Sequence, residues 1–80
     1  MNCLVNKARR TKLEYSMQLL RTAQGVVEDV KLEEEDAADN VPEGLQESER
    51  YSIMMDAIDS LEEASVNIEE AIDCIDQVIS

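Results

Sequence analysis

Carboxylates and thiols are the groups through which this 80-residue chain could do chemistry: it has 19 Asp and Glu, two Cys and no His. Paired acids can hydrolyse a bond when a pocket raises the pKa of one of them. The Glu62-Glu63 and Glu69-Glu70 pairs are the candidates, but helical spacing puts them on an outward face, where no pocket forms. A di-iron carboxylate site needs inward glutamates and a Glu-x-x-His motif, which a chain without histidine cannot supply. Asp36 to Glu47 has the length of a calcium loop, with Asp first, Asn40 fifth and Glu last. Ala38 stands at its third position and Val41 where the turn needs glycine, so the register fails. Cys3 and Cys74 have no companion ligand or base. Gly25 and Gly44 are isolated and form no phosphate loop. The expectation is a non-enzymatic protein with no catalytic, cofactor or metal site.

The charge pattern is more informative. Net charge is -12, and it is unevenly spread. Up to Val27, Lys7, Arg9, Arg10, Lys12 and Arg21 face a single acid, Glu14; from Glu28 onward, eighteen acids face only Lys31 and Arg50. Most of the surface should repel nucleic acid. The KARRTK run, Lys7–Lys12, is short and has no interleaved aromatics, so direct nucleic-acid binding is not expected. The expected partners are basic proteins, cations or the chain's own basic end. No stretch approaches a membrane span or a signal peptide. A reducing, cytoplasmic setting and two free thiols follow as the default.

These groups must be positioned by helices. Ala57 to Ser80 reads in sevens as AIDSLEE, ASVNIEE, AIDCIDQ, VIS, an apolar repeat of a helix packed along one face. Leu13, Leu20 and Val27 recur at the same interval upstream, with Ser16, Ala23, Val30 and Ala37 as the neighbouring row. Asn40, Pro42 and Gly44 break the chain between the two patterns, and Ser48 suits an N-cap. The spacing predicts one all-α domain over 1–80. Its helices run from about 6 to 39 and 49 to 79 around a loop at about 40–48, with residues 1–5 loose. They fold back as an antiparallel hairpin with Leu20 near Ile68 and Val27 near Leu61. Arg9, Arg10 and Lys12 then lie beside the Asp73–Asp76 end of the second helix.

The second helix offers three apolar rows, and one neighbour covers about two. The row Ile58, Ile72 and Ile79 is therefore expected to remain uncovered, which favours a homodimer forming a four-helix bundle. Leu13, Leu20, Val27, Ile58, Leu61, Ile68, Ile72, Ile75 and Ile79 are the expected core and dimer residues. Acids crowd the loop end: Glu33, Glu34, Glu35, Asp36, Asp39, Glu43, Glu47, Glu49 and Asp56. Such a run is either a solvated, solubilising tip or a contact surface for a basic partner. Together with Asp59, Glu62, Glu63, Glu69, Glu70 and the lone apolar Val66, Glu33–Asp39 and Asp56 form the expected partner-binding set. Rows of carboxylates on a rod could also imitate a nucleic-acid backbone and block a host DNA- or RNA-binding defence protein.

The turn residues Asp39, Asn40, Pro42, Glu43, Leu45, Gln46, Ser48 and Glu49, with the IEEAID heptad, carry a resemblance. The chain is similar to a group of small uncharacterised acidic helical-hairpin proteins of gut Firmicutes and their phages and mobile elements. The resemblance implies a bacterial or phage-infected cytoplasm as the setting and no particular mechanism. ASVNIEE departs from the group's pattern, with Ser65 in place of an apolar residue and Val66 in place of an acid.

Overall fold

A computed structural model describes residues 5–80. The expectation for residues 1–5 falls outside this range except at Val5, and Cys3 lies outside it too. α1 spans Lys7–Asp39 and α2 spans Glu49–Ile79, joined by a loop holding a single 3-10 turn, Glu43–Leu45. Both helix starts are set by a side chain that accepts an otherwise unpaired backbone N–H. The Asn6 Oδ1 accepts from the Arg9 N–H at 2.9 Å, and the Ser48 Oγ accepts from the Tyr51 N–H at 3.2 Å. At the end of α1 the Asn40 side-chain amide donates to the Asp36 carbonyl at 2.9 Å. Pro42 cannot continue the helix, having no N–H to give. The Leu45 N–H instead donates to the Pro42 carbonyl at 2.8 Å, and the Ser48 N–H to that of Leu45 at 3.1 Å. The loop is therefore closed by its own backbone, and α2 returns along α1.

The hairpin is a rod, 59 Å long and about 16 by 14 Å across, with a radius of gyration of 18.1 Å. A compact chain of this length would have a radius near 12 Å. As the sequence predicts, the helices pack against each other, but α2 is rotated from the expected orientation. The row expected to lie uncovered is the one that faces α1: Ile58 is 8% exposed and Ile72 2%. Ser65 sits between them, also buried, and Ile79 is half-buried. On α1 the facing row is Arg10, Met17, Gln24, Lys31 and Ala38, with Met17 and Ala38 buried. The row of Ser16, Ala23, Val30 and Ala37 lies further from the seam, with Ala23, Val30 and Ala37 exposed. The rotation buries isoleucines at the seam in place of alanines and has a polar consequence. It lets the acids that flank the isoleucine row reach Lys31 and Gln24 (Glu62 to Lys31, Glu69 to Gln24), which an alanine row at the seam centre would not permit. Leu13, Leu20, Val27, Leu61, Ile68 and Ile75 end up half-buried along one edge of the seam.

Gly25 lies on the exposed side of α1, and a Cβ built there meets no atom within 4 Å. Alanine at this position should raise stability by about 1 kcal/mol, because glycine loses more backbone freedom in a helix. We expect Gly25→Ala to raise the thermal midpoint by about 4–8 °C; circular dichroism would check this, and no change would mean α1 is already locally broken there.

Candidate interaction surface

The two edges of the seam differ in chemistry. On one edge, polar side chains meet across the helices. The Lys31 ammonium donates to Glu62 at 2.6 Å as an ion pair. The Gln24 amide donates to the Ser65 carbonyl at 3.1 Å and to Glu69 at 3.2 Å. The Ser65 hydroxyl donates to Glu28 at 3.0 Å. The hydrogen bond to Glu62 raises the Lys31 pKa above its ordinary value; desolvation opposes it, and the charges of Glu62, Glu35 and Glu28 add to it.

The other edge follows by going the opposite way round each helix. On α1, past Met17 and Gln24, come Leu13, Leu20 and Val27, then Ser16, Ala23 and Val30, then Leu19 and Val26. On α2, past Ile58 and Ser65, come Met54, Leu61, Ile68 and Ile75, then Ala57, Ala64, Ala71 and Val78, then Ile53, Ser60, Asn67 and Cys74. None of these side chains is charged, in a chain where 32% of residues are. Because the polar flanks of both helices share one edge, these uncharged flanks share the other and form one continuous face. Much of it is open to solvent: Leu19, Val26 and Ile53 are 53%, 58% and 61% exposed.

The expected partner-binding residues fall into three separate groups. Glu62 and Glu69 belong to the polar edge, where they contact Lys31 and Gln24. Asp56, Asp59, Glu63, Val66 and Glu70 lie exposed on the outer side of α2, away from α1. Glu33, Glu34, Glu35, Asp36 and Asp39 lie at the loop end; Glu34 and Glu35 are half-buried and the rest exposed. The structure thus spreads these acids along the rod and gathers no group of three metal-ligating side chains among the described residues. At the open end, Lys12 is exposed in the same row as Leu19 and Val26, whereas Arg10 is half-buried in the row that faces α2. Under the loop, Val41, Pro42, Leu45, Tyr51 and Met54 help to line a shallow hollow of about 260 Å³.

Sequence reasoning missed the polar edge and the open face. Ser65 appeared as a gap in an isoleucine row; its partners, Gln24 and Glu28, sit 41 and 37 residues away. The signal for the open face was present in the absence of charge from Leu13 to Val30 on one side of α1. Among the described residues, no helix is long and apolar enough to cross a membrane. Comparison with protein-family models, curated proteins and solved structures finds no match.

Proposed function

We propose that this chain is a non-enzymatic interaction protein of phage or mobile-element origin, acting as a homodimeric four-helix bundle that offers an acidic surface to a basic protein in the cytoplasm. The observation that carries it is the segregation of charge on α2. After Arg50 the helix has no basic residue, and its outer row of Asp56, Asp59, Glu63, Glu70 and Asp73 is wholly exposed. Val66, 47% exposed in the middle of that row, offers an apolar contact within the carboxylates. Such a surface steers a cationic partner and discriminates by charge. The uncharged face on the other side leaves Leu19, Val26 and Ile53 more than half exposed, and exposed apolar patches mark interaction sites, which supports the dimer.

A second reading, a nucleic-acid mimic, is favoured by one feature. Asp56 to Asp76 carries eight acids over about 30 Å of helix, or one charge per ~4 Å. A single DNA strand carries one per about 3.4 Å. On this reading the chain would compete with duplex DNA for one site on a DNA-binding protein.

Titration with a fluorescent lysine- and arginine-rich amphipathic peptide tests the leading proposal. Asp59→Asn, Glu63→Gln, Glu70→Gln and Asp73→Asn together should weaken binding by about tenfold or more, with strong salt dependence. Glu33→Gln, Asp36→Asn, Asp39→Asn and Glu43→Gln change net charge equally and should leave most of the affinity. Equal losses from the two sets would mean that net charge alone attracts the peptide, and the outer surface of α2 would have no special role.

A further inference from the structure

We infer that the occupant of the uncharged face is a second copy of this chain, laid antiparallel so that α1 meets α1 and α2 meets α2 about a two-fold axis near the middle of the rod. This rests on the homodimer proposed above and adds the face and the orientation.

Three observations select this occupant. The first is area. The hairpin exposes 6061 Å², whereas a compact chain of 9.0 kDa would expose about 4,900 Å². A standard interface removes about 800 Å² from each partner, so one copy seated on this face removes most of the excess. The second is charge along the row. Lys12, Leu19, Val26 and Glu33 succeed one another at seven-residue spacing on α1, and their midpoint lies beside the midpoint of the helix at Ala23. An antiparallel copy sets Lys12 against Glu33 of its mate and Leu19 against Val26, and the two-fold axis repeats each contact. Arg9 heads the next row and meets the acidic tip in the same way. A parallel copy, related by a two-fold axis along the rod, would set α1 on the α2 of its mate and lose the Lys12–Glu33 pairing. The third is repulsion between tips. Each loop end carries Glu33, Glu34, Glu35, Asp36, Asp39, Glu43, Glu47 and Glu49. Antiparallel packing holds the two tips at opposite ends of a rod 59 Å long, beyond the reach of their mutual repulsion in physiological salt. On α2 the small Ala57, Ala64 and Ala71 face their counterparts around the axis, which permits close approach of the two helices.

Cys74, exposed on this face, reports the arrangement. It lies ten residues from Ala64 and so about 15 Å from the axis, which places the two thiols of an antiparallel dimer ~30 Å apart. In a parallel dimer they would be separated by little more than the helix spacing, under about 15 Å. Spin labels on Cys74 in a Cys3→Ser background, with distances read by pulsed dipolar spectroscopy, test the inference directly. A distribution centred near 30 Å would support it. A distribution below about 15 Å would keep the dimer and overturn the orientation. The lack of any intermolecular distance at concentrations tens of times above micromolar would overturn the dimer itself. Val66→Glu, on the far side of α2, should leave the distribution unchanged; if it abolished the signal, the copies would meet through the acidic side and the assigned face would be wrong.

Discussion

Ile72→Ala should lower the thermal midpoint by about 10–20 °C, the largest loss of stability expected from a single truncation here. Ile72 is 2% exposed and lies in the α2 row that faces α1. Cutting a buried isoleucine back to alanine costs about 2–5 kcal/mol, part in lost transfer energy and part in the cavity left behind. A domain of this size has only about 4–12 kcal/mol to lose. The hairpin has four buried apolar residues among those described, Met17, Ala38, Ile58 and Ile72, so few neighbours can move in to fill the gap. Val66→Ala, truncating an exposed side chain of the same helix, should change stability by less than about 0.5 kcal/mol. Thermal melts followed at 222 nm give the comparison. If the two variants melted alike, α2 would be rotated relative to the seam, and the isoleucine row would be the open one after all.

Val26→Glu should weaken self-association by about 100-fold or more while leaving the isolated hairpin helical. Val26 is 58% exposed in the hairpin, so a glutamate there is hydrated in the monomer and costs the fold little. In the dimer the same carboxylate would be buried against Leu19 of the mate with no cation in reach. An unpaired buried charge costs about 3 kcal/mol or more, and the two-fold axis imposes it twice. Each 1.4 kcal/mol is tenfold in the dissociation constant, so the effect is large enough to read by dilution. Val66→Glu adds the same charge to the opposite side and is the control. Equal weakening by both would indicate general charge repulsion in a chain already at -12 and would remove the argument for this face.

The helices were legible in the sequence because their ends are written in local chemistry. Asn6 and Ser48 are capping residues and Pro42 stops α1, so the ends of α2 fall where the spacing places them and α1 starts one residue late. The rotation of each helix about its own axis was not legible. Three adjacent rows of α2 are apolar or small, and a seven-residue period does not rank them. What ranks them, beside the burial of Ile58 and Ile72, is the pairing of Glu62 with Lys31, of Glu69 with Gln24 and of Glu28 with Ser65, each between residues more than thirty apart. Such polar contacts add little stability at an exposed edge, but they act in the same direction as burial of Ile58 and Ile72 and disfavour the other rotations. Ser65 shows this best. A buried serine in a hydrophobic repeat is costly when unpaired, but its hydroxyl and carbonyl are both satisfied from α1, which removes the penalty of burying it. The acidic residues were equally visible in the sequence, but their division into a polar edge, an outer row and a tip depends on the same rotation.

Sedimentation equilibrium of the unmodified chain at micromolar concentration asks whether the rod has a self-complementary uncharged face. The predicted result is a species of twice the 9.0 kDa chain mass that dissociates to the single-chain mass on dilution. A fully helical species at the single-chain mass, melting cooperatively at a midpoint independent of concentration, would contradict it.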